Sequence, residues 1–152
     1  MSVTIPVSKI KLVRESNHKY NIPTKQIHGP EDAAYAINEV LHLTDEAQEV
    51  FGALFLSTKN GILGIMEITR GSLNASVVHP REVYKAALLH NANAVIVFHN
   101  HPSGDPNPSR EDIAVTQRLV KAGRILDIAL LDHLIIGDNR FISLKEQGHL
   151  AV

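Results

Sequence analysis

The stretch that decides the fold is Ala94-Val-Ile-Val-Phe98 followed by His99-Asn-His-Pro-Ser-Gly-Asp-Pro-Asn-Pro-Ser-Arg-Glu-Asp112. Its first five residues form a continuous apolar run, which is typical of a β-strand buried on both faces. The loop that follows is rich in Pro, Gly and Asn, and a helix is predicted to begin near Ser109. A buried strand that leads through a stiff loop into a helix predicts an α/β domain.

Helical and strand patterns alternate on either side of this stretch. Prolines followed by acidic residues predict two earlier helices, from Pro30 to near His42–Thr44 and from Pro80 onward, and the helix from Ser109 is predicted to stop at Gly123. The first predicted strands are an edge strand at 7–13 and a hairpin of 49–56 and 62–68 that is joined at Asn60-Gly61. Further strands are predicted at 94–98, 125–131 and 134–136. A turn at 137–140 then leads into a last strand at 141–143. This order predicts a single mixed α/β domain over residues 1–152, in which residues 1–30 form an N-terminal extension or edge strand.

Composition restricts the chemistry that the 152 residues can perform. The chain has 9 histidines and no cysteine, so any metal must be held by nitrogen and oxygen ligands. Lys plus Arg is 15 and Asp plus Glu is 16, and the resulting net charge of −1 does not favour nucleic-acid binding. Without an apolar run of 18 residues or the apolar core of a signal peptide, we expect a cytoplasmic protein with no membrane contact.

The loop after the buried strand contains a candidate metal site. His99 and His101 are two residues apart, so in an extended chain both side chains face the same point, and Asp112 lies one turn into the next helix. Two imidazoles and one carboxylate form a known catalytic zinc set that leaves a position for water. The same Ser109-Arg-Glu-Asp112 segment also fits a helix capping pattern, which the pattern alone favours over metal ligation.

These residues resemble a known family. His99, His101, Ser109 and Asp112 fill the JAMM signature of the MPN-type metalloproteins, which is His-x-His, seven residues, Ser, two residues, Asp. Further segments between residues 31 and 148 resemble the bacterial RadC family, and they are Gly71-Ser-Leu-Asn-Ala-Ser76, Val78-His-Pro-Arg-Glu82, His99-Asn-His-Pro-Ser-Gly104, Pro108-Ser-Arg-Glu-Asp112 and Asp132-His133. The resemblance implies the MPN, or cytidine-deaminase-like, three-layer fold with a mixed central sheet flanked by helices.

The resemblance also implies a site and an activity. It implies a Zn²⁺ ion held by His99, His101 and Asp112, and a JAMM-type metallohydrolase that attacks an amide or isopeptide bond of a peptide-like or protein substrate. The position that matches the family's catalytic glutamate is Glu49, with Glu67 as its competitor, and the Ser109 hydroxyl is expected to stabilise the oxyanion.

Three further residues have alternative interpretations. Asp132 and His133 can orient a metal ligand by hydrogen bonding, but a buried, satisfied polar pair or a turn is favoured, since nothing in the sequence places them near His99. Ser103 can line the site or only form a turn.

Two other functions remain as alternatives to hydrolysis. The family's name suggests a DNA repair or recombination accessory protein, although this chain is too short for the N-terminal helix-hairpin-helix part of longer members. The other alternative is a binding module with an idle metal site. A homo-oligomer is compatible with each of these functions.

Overall fold

The fold is built from three helices, one short 3₁₀ turn and five strands over the residues described. The structure is a computed structural model that describes residues 1–71 and 78–151. Its elements are α1 (Pro30–Leu41), the 3₁₀ turn Leu43–Asp45, β1 (Val50–Leu56), β2 (Ile62–Arg70), α2 (Pro80–Leu89), β3 (Ala94–Asn100), α3 (Arg110–Leu126), β4 (Ala129–Ile136) and β5 (Phe141–Ser143). The family-like segment Gly71-Ser-Leu-Asn-Ala-Ser76 lies, apart from Gly71, outside the described residues.

The strands form one mixed sheet in the order β2-β1-β3-β4-β5. The hairpin of β1 and β2 is confirmed, and Asn60 adopts the left-handed conformation that its turn requires. Strand β3 is antiparallel to β1 and parallel to β4, and α3 makes the crossover between the two parallel strands. The fold class expected from the sequence is therefore confirmed.

Hydrophobic side chains fill both faces of this sheet and create three layers. On one face Val83 of α2 and Leu119 of α3 pack with alternate residues of β1 and β3, such as Phe55 and Val97. A second cluster packs α1 against the opposite face, and its members include Ile37, Leu54, Ile96, Phe98 and Leu134. Because β3 is buried throughout, its carboxyl end is a rigid support for the residues that follow.

The helix starts were predicted correctly, but the end of α3 was not. Pro30 and Pro80 each occupy the start of a helix, as expected. Gly123 does not end α3, which continues to Leu126 and is terminated by Asp127 in the left-handed conformation. A side chain at position 123 would lie 2.5 Å from the Tyr84 hydroxyl, so the glycine permits close packing of α2 on α3 rather than a turn. No described helix has the length and apolar character required to cross a membrane.

Strand β4 differs from the prediction of two strands at 125–131 and 134–136. Residues 125 and 126 belong to α3, and Ala129–Ile136 is one strand that includes Asp132 and His133. The register slips by one residue, because Val95 pairs with Leu130 whereas Ile96 pairs with Asp132. This bulge places His133 opposite Val97, on the face covered by α2 and α3.

The predicted edge strand at 7–13 is wrong. Residues 1–25 have no regular secondary structure in the part of the chain described, and the first pairing is an isolated bridge between Gln26 and Gly61. Val7, Ile10 and Val13 are all exposed. Alternation of apolar and polar residues forms a strand only where a neighbouring strand accepts its hydrogen bonds, and no described strand does so here.

Candidate metal centre

Three side chains, two from the end of β3 and the following residues and one from the first turn of α3, converge at the carboxyl end of β3. The ligand atoms of His99, His101 and Asp112 all lie within 4.8 Å of one another. His99 Nε2 is 3.0 Å from His101 Nε2 and 3.1 Å from Asp112 Oδ1, and His101 Nε2 is 3.3 Å from Asp112 Oδ2. The structure thus brings together the three residues that the sequence proposed as ligands.

The loop between His101 and α3 is fixed on the neighbouring strand end. The His101 backbone N–H donates to the carbonyl of Ile136, which carries the β3–β4 pairing one residue further. Gly104 has a φ of 88°, its N–H donates to the His101 carbonyl, and its own carbonyl accepts from Asp138. This turn returns the chain toward α3 and brings the first turn of the helix back to the two histidines.

The capping and metal-ligating interpretations of Ser109 and Asp112 are both compatible with the geometry. Ser109 Oγ accepts from the Asp112 backbone N–H at 3.1 Å, and Asp112 Oδ2 accepts from the Ser109 N–H at 2.8 Å, which confirms the predicted capping box. Asp112 Oδ1 meanwhile faces His99. The cap therefore holds the carboxylate in the orientation that directs it at the two imidazoles.

In the neutral form of His101, the hydrogen bond made by Nδ1 leaves Nε2, the nitrogen that faces the cluster, without a hydrogen. His101 Nδ1 lies 2.8 Å from the carbonyl oxygen of Asp105, which only accepts, so Nδ1 carries the hydrogen and Nε2 carries a lone pair. The pKa of His101 is raised, chiefly because Nε2 donates to Asp112 once the ring is protonated, and this outweighs the effect of burial. Burial alone would raise the pKa of Asp112, but the hydrogen bonds that His101 and His99 donate when Nε2 is protonated hold that pKa well below its ordinary value. A cation is thus favoured at the point where these atoms meet.

This donor set fits a metal ion. Two imidazole nitrogens and one carboxylate oxygen converge from the end of a buried strand and the start of a helix, both of which are rigid. The group lies next to a pocket whose wall includes the apolar side chains of Phe51, Val78 and Val115. The cluster can hold a metal, and its apolar surroundings strengthen electrostatic interactions within it.

Of the two candidate glutamates, Glu49 lies on the side of the metal ligands. It directly precedes β1, in which Phe51 pairs with His99, and its half-buried carboxylate is among the charges that raise the pKa of His101. Glu67 is in β2, one strand further from β3, and is bound to Arg70. This placement favours Glu49, as the family resemblance did, and its role as a base stays a prediction.

Of the remaining candidates, His133 contacts a candidate metal ligand, whereas Asp132 and Ser103 make only local hydrogen bonds. His133 is buried, and its Nε2 lies 2.8 Å from His99 Nδ1. Burial lowers the pKa of His133 well below its ordinary value. Asp132 instead accepts from Ser143 Oγ at 2.6 Å and from the backbone N–H of Lys145, and burial raises its pKa. Ser103 Oγ accepts from the Asp105 N–H within an exposed turn.

The favoured interpretation, a buried polar group whose hydrogen bonds are satisfied, therefore holds for Asp132. His133 instead contacts the candidate ligand His99 directly. The bulge in β4 places His133 beside His99, and no sequence signal revealed this contact.

Sequence analysis missed two residues that support the site. Asn100 is 2% exposed, its Oδ1 accepts from the Val50 N–H at 2.7 Å, and its Nδ2 donates to the Gln48 carbonyl at 3.0 Å. Thr116 is fully buried, and its hydroxyl lies 2.6 Å from His133 Nδ1. The position of Asn100 between two histidines was an available signal, whereas Thr116 had none beyond its spacing of four from Asp112.

Comparison with known proteins agrees with this geometry. A family model described as the RadC-like JAB domain matches residues 27–149. A UPF0758 protein of Desulfitobacterium hafniense (strain DSM 10664 / DCB-2) is 56% identical over 124 residues, and one of Geobacillus sp. (strain WCH70) is 55% identical over 124 residues. Each match covers 82% of this chain and 54% of the relative, so the chain spans about half the length of the curated relatives it matches.

Proposed function

Because the chain belongs to the RadC-like JAB domain family, we propose that it is a zinc-dependent hydrolase of amide or isopeptide bonds. The observation that carries the proposal is the convergence of His99, His101 and Asp112, and Glu49 directly precedes β1, the strand in which Phe51 pairs with His99. A structural cation site needs no such carboxylate beside it, whereas a hydrolytic site needs a base near its water.

The ligand chemistry favours zinc among the metals that this cluster can hold. Two neutral imidazoles and one carboxylate match catalytic zinc sites, in which a further position stays open. Bound there, the ion would act as a Lewis acid toward water and toward the carbonyl of the scissile bond. His99, His101 and Asp112 would hold that charge beside the apolar side chains of Phe51, Val78 and Val115, where the electrostatic effect is larger than in bulk water.

Two side chains complete the proposed mechanism. Glu49 takes a proton from the attacking water and later delivers it to the leaving amine. The Ser109 hydroxyl, whose oxygen accepts from Asp112 N–H, still has its hydrogen to donate toward the oxyanion that forms on the carbonyl. Asp112 is held by its hydrogen bond from the Ser109 backbone, so the cap and the site are positioned together.

The test combines metal content with cleavage. The purified chain, loaded with zinc and washed, is expected to retain about one ion per chain, and to cleave members of a panel of peptide-linked and isopeptide-linked fluorogenic substrates. Loss of zinc on washing would contradict the metal centre. Retained zinc without cleavage across the panel would contradict the hydrolase and leave a binding domain with an idle ion.

A further inference from the structure

The Nδ1 side of the His99 ring contacts a second histidine, His133. His133 reaches it because the bulge in β4 turns His133 toward α3, and the two rings meet through His99 Nδ1 and His133 Nε2 at 2.8 Å. Phe51 stacks on the His99 ring and packs edge-on against His133. With the buried rings of His133 and Phe51 around it, His99 has little freedom to rotate.

The hydrogen atoms in this chain of contacts can be assigned from Thr116. Its hydroxyl lies 2.7 Å from the Asp112 carbonyl, which can only accept, so the single hydroxyl hydrogen points there. Thr116 Oγ1 must then accept from His133 Nδ1, at 2.6 Å. Both ring nitrogens of His133 are thus taken up by uncharged partners, and a buried imidazolium would be costly, so the ring is neutral and its Nε2 is an acceptor.

We infer that Thr116 and His133 are positioning residues that fix the tautomer of His99. Since His133 Nε2 accepts, His99 Nδ1 must donate, and His99 Nε2 is left with a bare lone pair directed at His101 and Asp112. The opposite tautomer would place a hydrogen on Nε2, at the point where the ligand atoms converge. His99 donates to His133, and His133 donates to Thr116. These hydrogen bonds therefore leave the ligand nitrogen of His99 free of hydrogen, and able to bind a cation, before any ion is present.

The tautomer can be measured without metal, so this test is independent of whether the chain is a hydrolase. Ring-nitrogen NMR shifts of ¹⁵N-histidine-labelled, metal-free protein in mildly alkaline buffer distinguish protonated from bare nitrogens. We expect His99 to carry its hydrogen on Nδ1 and His133 to carry its own on Nδ1. A hydrogen on His99 Nε2 would overturn the inference.

Two substitutions at one position test the consequence for metal binding, which rests on the proposed zinc site. Thr116→Val keeps the shape but removes the acceptor for His133 Nδ1, so a population of His99 with its hydrogen on Nε2 should appear, and zinc affinity should fall about tenfold or more. Thr116→Ser keeps the hydroxyl and should restore both the tautomer and most of the affinity.

Chelator competition measures the affinity of the two variants. Unchanged zinc affinity in a folded Thr116→Val protein would contradict the positioning role. If the wild type itself binds no zinc, the proposed function fails, and the tautomer measurement still decides the inference.

Discussion

The side-chain oxygen of Asn100 accepts a hydrogen bond of 2.7 Å from the backbone N–H of Val50. Its amide nitrogen donates to the carbonyl of Gln48 at 3.0 Å, so one buried side chain binds the backbone on both sides of Glu49. Asn100 itself lies between His99 and His101 at the end of β3. The strand that carries the metal ligands therefore also sets the position of the candidate base.

Asn100→Ala is expected to separate base positioning from metal binding. Both hydrogen bonds to the Glu49 segment are lost, while His99, His101 and Asp112 remain, so cleavage should fall about a hundredfold with zinc content retained. Stability should fall by about 1–3 kcal/mol, because Val50 N–H and Gln48 C=O lose buried partners. Kinetics, elemental analysis and denaturant unfolding measure these effects. Asn107→Ala, in the exposed loop, is the matched control, and full activity in Asn100→Ala would refute the positioning role.

Glu49→Gln and Glu67→Gln form a pair that identifies the base. The first removes the proposed proton acceptor without changing shape, and cleavage should fall about 10²–10⁴-fold while bound zinc is unchanged. The second removes an acid that pairs with Arg70 at the surface, so activity should stay near the wild-type value. Steady-state rates and metal content decide the outcome, and the reversed pattern would transfer the role to Glu67.

Local signals were sufficient for most of the fold. Proline at the start of α1 and α2, Asn60-Gly61 at the hairpin and the serine–aspartate cap of α3 each act within a few residues, and each predicted its element. Errors arose where distant contacts decide. Gly123 resembles a helix stop, but its role is to admit Tyr84 and the Ile128 carbonyl, neither of which is adjacent in sequence.

The candidate site was likewise predictable only where residues close together in the sequence form it. The spacing of His99, His101 and Asp112 is local, and together with the family resemblance it sufficed to propose them as ligands. His133 reaches His99 only through a register slip in β4, and Asn100 reaches the Glu49 segment only because β1 and β3 are neighbours. Such relationships depend on strand pairing, which periodicity in a single sequence does not specify.

The two roles of the first turn of α3 can be separated by substitution. Ser109→Ala removes the acceptor for Asp112 N–H and should cost about 1 kcal/mol of unfolding free energy while zinc remains bound. Asp112→Ala removes both the cap partner and a ligand, so stability and zinc should be lost together, and His101→Ala should lose zinc alone. Unfolding curves and elemental analysis test this, and equal zinc in the wild type, His101→Ala and Asp112→Ala would eliminate the metal centre.

Tyr84 should make the protein sensitive to alkaline pH. Its hydroxyl donates to the Leu119 carbonyl at 2.6 Å, and burial raises its pKa to about 12 from the ordinary value of 10.0. A raised pKa in the folded state means that the protonated form is favoured by folding. The resulting contribution to the free energy of unfolding is fully present below pH 10 and is lost as pH rises through about 12. It amounts to about 3 kcal/mol in all.

Substitution by phenylalanine isolates this contribution of Tyr84. Tyr84→Phe should be less stable than the wild type at neutral pH by about 1 kcal/mol, because the bond to Leu119 is lost. Between about pH 10 and pH 12, however, the wild type should lose stability more steeply than the variant, since only the wild type must bury a hydroxyl that tends to ionise. Tyr35→Phe, at a half-exposed position of α1, should keep the wild-type slope. Parallel slopes for the wild type and Tyr84→Phe in denaturant unfolding would show that the buried hydroxyl does not control alkaline unfolding.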